Sequence, residues 1–235
     1  MVRKTDQGDR KMSKSLMISI QPKHLVNILN GNKTLELRKT VPKDFKGWVY
    51  IYCTKGGGLL VDNTSWINYL IVKDFVKKDY TESPRFHIRK KLEEHIYGSV
   101  RNTKVVARFW FDEYAELNPN NFFGENVIYY EQYDNRYPDE DIEQSGVIDT
   151  KFLEELTQVS LEDIQKYSKS KYIYGWHIKK LEIFDTPLSL SDFYKATLYA
   201  TGQVIKEYEE QTNDFKSYRL QRPPQSWQYI YKREE

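Results

Sequence analysis

Between Leu16 and Arg38 the chain changes its period twice, and no other stretch limits the possible folds as much. Leu16 to Ile20 is a short apolar run with strand character. Gln21-Pro22 ends it and opens a helix, because proline lacks an amide hydrogen that the first helical turn does not need. Leu25, Ile28 and Leu29 then fall at helical spacing, and Asn30-Gly31 is a stop signal. From Thr34 to Arg38 strict alternation takes over. Leu35 and Leu37 point one way, and Thr34, Glu36 and Arg38 the other. The chain therefore opens as strand, helix, strand, with the helix bridging two strands.

Further strands follow. Val49, Ile51 and Cys53 share one face of a strand over Trp48 to Cys53, and Trp48, Tyr50 and Tyr52 share the other. Lys104 to Tyr114 reads as a fourth strand. Tyr172 to Phe184 reads as a long one whose apolar parity shifts from Trp176 and Ile178 to Leu181 and Ile183, which a bulge near Lys179-Lys180 accounts for. Ser226 to Tyr231 reads as the last strand, approached by the rigid Arg222-Pro223-Pro224. Ser160 caps a helix with an acidic first turn, and Ser191 to Tyr199 has helical character. Residues 59–103 and 118–148 lack a clear period and read as excursions from one domain over 16–235, with residues 1–15 as a mobile tail. Short strands with few helices imply an α+β barrel or curled sheet.

Composition excludes several classes. The net charge of +2 on 235 residues is far from the excess of a protein that coats duplex DNA. The one cysteine, Cys53, rules out an internal disulfide and a cysteine zinc site. His24, His87 and His95 have no metal-ligand spacing, so neither a metal nor a cofactor is expected. No apolar run is long enough to span a bilayer, and Met1 to Ser15 has no apolar signal core, so the chain is read as cytoplasmic without a membrane partner.

Strand, helix and then Gly31-Asn32-Lys33-Thr34-Leu35-Glu36-Leu37-Arg38 resembles the ASCH signature Gly-x-Lys-x-x-Glu-x-Arg. Gly47 to Lys55, Lys104 to Trp110, Tyr174 to Ile178 through Leu181, and Arg222-Pro223-Pro224-Gln225-Ser226-Trp227 resemble later segments of phage and bacterial ASCH proteins. The resemblance covers about half of the chain. It implies a PUA-like β-barrel of five to six mixed strands, a helix beside a cleft, and the two excursions as insertions. Its PUA-like relatives bind RNA or modified bases, some small members are similar to amidohydrolases acting on acylated cytidine, and others are reported as ribonucleases. A fold hosts many functions and does not choose among these.

The candidate ligand-binding residues are Lys33, Thr34, Glu36, Arg38, Lys55 and Ser226. Glu36 and Arg38 share a strand face about 7 Å apart. Arg38 offers a planar fork, Lys33 a point charge for a phosphate or carbonyl, and Glu36 an acceptor for a base amino group or a brace for Arg38. A solvated strand face is the structural alternative. Lys55 precedes Gly56-Gly57-Gly58, where the backbone can approach an anion, or which is simply a flexible turn. Ser226 is positioned by the prolines before it. Trp176 is expected in the core, with His177 on the opposite face at the rim. Trp227, Tyr229 and Tyr231 are expected to pack a wall. Arg85, Arg89, Lys90 and Lys91 lie in the densest basic run, with phosphate contact and a solvated helix face as its two readings.

Three functions fit these residues. A binding module would hold RNA or a nucleotide in the cleft, with base stacking and hydrogen bonds from Glu36 and Arg38. A hydrolase would act on an acylated nucleoside, or on RNA, with Lys33 and Glu36 as its catalytic pair. In the resembling amidohydrolases a threonine nucleophile would sit where this chain has Glu36, which speaks against that chemistry. An inhibitory or protein-interaction role would use the two excursions.

Overall fold

Two strands that the sequence presents as continuous are each broken in the middle, and the breaks set the architecture. The computed structural model describes residues 12–56, 58–63, 68–72, 100–122, 126–134, 144–196 and 218–233. The run expected over Lys104 to Tyr114 divides at Asp112 into β6 (Val105–Phe111) and β7 (Glu113–Phe122). The run expected over Tyr172 to Phe184 divides at Ile178 into β10 (Ile173–His177) and β11 (Lys179–Leu188). At both breaks the chain passes from one sheet to another.

The first sheet is six-stranded, in the order β11, β6, β3 (Gly47–Cys53), β1 (Met12–Ile20), β13 (Trp227–Arg233) and β12 (Phe193–Lys195). It is mixed: β1 pairs parallel with β3, and its other pairs are antiparallel. The second sheet is antiparallel, in the order β2 (Leu35–Arg38), β10, β7, β8 (Val127–Asp134) and β9 (Gln144–Asp149). A separate hairpin, β4 (Leu59–Asn63) and β5 (Asn68–Val72), packs beside helix α1 (Pro22–Leu29). Helices α2 (Thr150–Thr157) and α3 (Leu161–Ser168) complete the described elements, with a 3-10 turn at Leu190–Asp192.

The fold is α+β, as expected, but its sheets do not close into one barrel. Strands β1 and β2, joined through α1, lie in different sheets. Gly31 ends α1 with φ +76, and the following turn carries the chain across. Four further expectations change. β1 begins at Met12, because Met12 to Ser15 pair with Arg233 to Ile230, so part of the expected tail is strand. Residues 118–148 supply the end of β7 together with β8 and β9, and β4 and β5 lie within 59–103. The helix expected over Ser191 to Tyr199 is the 3-10 turn followed by β12, where Phe193 and Tyr194 face opposite ways and pair with β13; residues 197–199 lie outside the described part. Helix α2, capped by Asp149, has no counterpart in the sequence reading.

Three apolar layers result. Between the sheets lie Leu16, Ile18, Val49, Ile51, Cys53, Phe109 and Phe111, with Trp176 and Tyr114 from the second sheet and Leu25 and Ile28 from α1. The helix-facing side of the second sheet brings Leu35, Leu37, Leu117 and Ile173 onto Leu153 and Ile164 of α2 and α3. The outer side of the first sheet buries Met17, Tyr50, Tyr52, Phe193 and Ile230. The alternation read in β3 is therefore real: its odd and even residues enter different cores. Lys180, at φ +47, and the register shift between Lys179 and Glu182 form the bulge that the parity of this stretch requires. Leu181 thereby turns to the same core as Trp176.

Candidate ligand-binding cavity

Strand β2 is buried on both faces, which explains how a strand of four residues holds its place. Leu35 and Leu37 anchor it in the helical layer. Thr34 N–H donates to the Leu156 carbonyl at 3.0 Å, and Ile178 N–H donates to the Thr34 carbonyl at 3.0 Å. Glu36 and Arg38, on the opposite face, are turned to a cavity of about 750 Å³ beside this edge of the sheet.

The cavity floor is an ionic triad. Lys33 Nζ lies 2.9 Å from Glu36 Oε2, and Arg38 Nη2 lies 2.9 Å from Glu36 Oε1. Lys33 reaches this position because the turn after α1 is tight: Asn32 N–H and Lys33 N–H both donate to the Asn27 carbonyl, at 2.8 and 3.0 Å. Arg38 Nη2 also donates to the Ser19 carbonyl at 2.9 Å, which ties β2 to the end of β1. All three side chains are buried, so the solvated-face alternative does not describe them. Burial alone would raise the Glu36 carboxyl, but Lys33 and then Arg38 outweigh it and hold Glu36 below the ordinary carboxylate value. Burial, and after it Lys33, lowers His24 from its ordinary value, so its imidazole is neutral at pH 7.

The walls come from four places. Ser19, Ile20, Thr54 and Lys55 stand at the ends of the parallel strands β1 and β3, and Gln21, Lys23 and His24 at the start of α1. Val159, Asp163, Ile164 and Tyr167 belong to α3 and the loop before it. Pro223, Pro224 and Gln225 close the last side. This segment is pinned to β1, since Ser19 Oγ donates to the Pro224 carbonyl at 2.7 Å and Ser19 N–H to the Ser226 carbonyl at 3.1 Å. Tyr52 adds a buried ring and Tyr167 a half-exposed one; burial raises both phenols.

Of the residues singled out from the sequence, Lys33, Glu36, Arg38 and Lys55 line this one cavity. Thr34 and Ser226 do not. The Thr34 side chain is exposed, and both residues contribute through their backbone. Arg85, Arg89, Lys90 and Lys91 lie outside the described residues. Trp176 is fully buried. His177 sits instead at the two sheet crossings, in a cluster where Lys179 Nζ meets Asp112 Oδ1 at 3.0 Å and also pairs with Glu113. Trp227 and Tyr229 pack against the inter-sheet core, and Trp227 Nε1 donates to Thr40 Oγ1 at 2.9 Å. Lys23, His24, Asp163 and Tyr167 were not singled out as site residues. The Ser160 cap signal placed α3 on the chain, but nothing local says that it flanks β2. Among the described residues no group of His, Cys, Asp and Glu is arranged to hold a metal, and no helix is long and apolar enough to cross a membrane.

No family model matches the chain, and no curated protein matches it. Among solved structures it is similar to ASCH from Zymomonas mobilis, at 12% identity and a TM-score of 0.42, over 92% of this chain and 86% of that one. Two single-substitution variants of that protein match at 12% identity and a TM-score of 0.37, over 92% of this chain and 88% and 87% of theirs.

Proposed function

We propose that the cavity binds a nucleotide or a segment of single-stranded RNA, and that the protein acts as a binding module rather than as a hydrolase. The observation that carries this reading is the buried triad of Lys33, Glu36 and Arg38 on the floor of a cavity of about 750 Å³, a volume suited to a small ligand. The charged groups are held in place before any ligand arrives, so little ordering entropy is lost on binding. Tyr52, Tyr167 and the ring of Pro224 offer flat or apolar surface to a base, and the lysines offer charge to its phosphate.

The same geometry argues against hydrolysis by Glu36. A general base is most effective with a pKa near the working pH. Glu36 is held the other way by two cations, one on each oxygen. Its proton affinity is low, and both oxygens are already engaged.

The test measures binding and product together. Wild type and Glu36→Gln are titrated with labelled short RNAs, nucleotides and acylated cytidines, with circular dichroism to check the fold of the variant. Saturable binding without product is expected from the wild type. Product from the wild type that disappears in Glu36→Gln while affinity survives would make this an enzyme.

A further inference from the structure

We propose that β8 and the open edge of β9 dock an extended segment of a protein partner, and that an arginine or lysine of that segment is held by Glu116 and Glu131. The surface lies at the β9 edge of the second sheet, opposite the β2 edge that borders the cavity, and it does not depend on what the cavity binds.

Residues directly opposite each other on neighbouring strands share a face of the sheet. In one row Tyr174 stands opposite Glu116, Glu116 opposite Glu131, and Glu131 opposite Ser145. In the next row Tyr129 stands opposite Val147. Trp176 and Tyr114 of this face lie in the core between the sheets, and Tyr174 and Tyr133 pack at its margin. Tyr129 and Val147 lie beyond it, 37% and 51% exposed. Strand β9 pairs with β8 on one side and, among the described residues, with nothing on the other. Such an edge is a template for a further strand.

The charges on this face show what kind of segment fits. Like charges directly opposite each other destabilise a sheet, yet Glu116 faces Glu131. Glu131 accepts from the Tyr133 phenol at 2.6 Å and the Tyr129 phenol at 3.4 Å, which fixes its carboxylate without cancelling its charge. Glu116 makes no hydrogen bond, and neither carboxylate makes an ion pair, among the described residues. Burial, and after it Glu131, raises the Glu116 carboxyl above its ordinary value; Lys43 acts the other way without reversing the shift. The face thus lacks a cation. RNA is repelled by it. A second copy paired through β9 would set two such acidic rows on the same side of one sheet, so self-pairing is disfavoured as well.

A basic segment relieves the repulsion. Strands lie about 4.8 Å apart, so a partner side chain opposite Ser145 starts two spacings from Glu131. Arginine and lysine span that distance over the small serine, with the Tyr129 ring beside the cation. The partner residue two positions on faces Val147 and Tyr129, where an apolar side chain fits. The recognised pattern is therefore a cation and an apolar residue separated by one position.

Nine-residue threonine-based peptides carrying Arg or Lys and, two positions away, Leu or Tyr test the surface. Matched peptides with Glu in place of the cation and single-stranded oligonucleotides serve as controls. The full chain is titrated without nucleotide and read by the amide NMR shifts of Ser145, Gly146 and Val147. Cationic peptides should shift these amides and bind at least about ten-fold tighter than their Glu counterparts. Glu116→Gln should weaken them about ten-fold without lowering thermal stability, since the like-charge pair is relieved. Val147→Lys, at an exposed position, should weaken them at least as much. The proposal is overturned if cationic peptides leave the β9 amides unmoved, if the Glu peptides bind equally well, or if affinity survives both substitutions. It is also overturned if oligonucleotides shift the same amides, or if sedimentation shows a dimer that Val147→Lys dissociates.

Discussion

Arg38 and Glu36 occupy alternate positions of one buried strand, and Arg38 Nη2 meets Glu36 Oε1 at 2.9 Å. Neither residue can be removed without a consequence for the other. Glu36→Ala leaves two buried cations facing each other and should cost about 3–5 kcal/mol, the usual penalty for stranding a buried charge. Arg38→Ala leaves Glu36 with Lys33 and should cost less, while weakening ligand binding by about 1–3 kcal/mol. Urea denaturation at pH 7 and ligand titration of the folded variants give the two numbers.

Acid should destabilise the protein in two steps of the same sign. Burial, then Lys33, places the folded pKa of His24 below its ordinary 6.5. The unfolded chain therefore binds more protons there, and stability present above pH 6.5 declines as the pH falls toward the folded value. Glu36 behaves likewise one range lower. Against the opposing effect of burial, Lys33 and Arg38 keep its folded pKa below 4.5, so its contribution is full above 4.5 and is lost as the pH falls through the folded value. His24→Gln should flatten the upper part of a stability-against-pH curve, and Glu36→Gln the lower part.

Gly175 is the space that Leu35 fills. A Cβ built on Gly175 would lie 2.8 Å from Leu35 Cδ2 and 2.9 Å from two further atoms of the same side chain. Gly175→Ala should cost about 1–3 kcal/mol by overpacking. Leu35→Ala should cost about 2–5 kcal/mol by opening a cavity. In the double variant the alanine at 175 should add little to the cost of Leu35→Ala, because the clash is gone. A double-mutant cycle by thermal or urea unfolding measures that coupling.

Binding of short single-stranded RNA should depend weakly on salt. Net charge is only +2, and the cavity has few cations to spare. Each phosphate contacted contributes about 0.7 to the log–log slope on a single strand. A slope of roughly −1 to −2 is expected, with stacking and hydrogen bonds supplying the rest. Fluorescence titrations across a range of salt concentrations check it, and a steep slope would indicate a strand-coating mode instead.

What the sequence determined by itself is local. The alternation in Leu35 to Arg38 fixed which residues turn inward and which toward the cavity, and the parity of Trp48 to Cys53 assigned both faces of β3. Pro22 and Gly31 bounded α1, and Ser160 capped α3, because these signals act through the backbone of their own few residues. The motif around Lys33, Glu36 and Arg38 was legible because the three residues sit within one turn and one strand.

What the tertiary structure decided is the partner of each strand. Lys104 to Tyr114 alternates as one strand would, yet it changes sheet at Asp112, whose counter-ion Lys179 comes from the second crossing, far along the chain. Apolar alternation states that a residue is buried, not which sheet buries it. Residues 118–148 looked irregular because the face of β8 that carries Tyr129, Glu131 and Tyr133 is partly exposed and mixes polar and aromatic residues. Phe193 and Tyr194 were drawn into a short strand by β13 against a local helical tendency, as tertiary pairing overrides weak propensity. The cavity itself belongs to this second kind of information. Tyr167 and Asp163 come from one helix, Lys23 and His24 from another, and Pro224 from near the end of the chain. Only the packing of α2 against β2 and of α3 against β7, and the pinning of Pro224 by Ser19, bring them around Glu36.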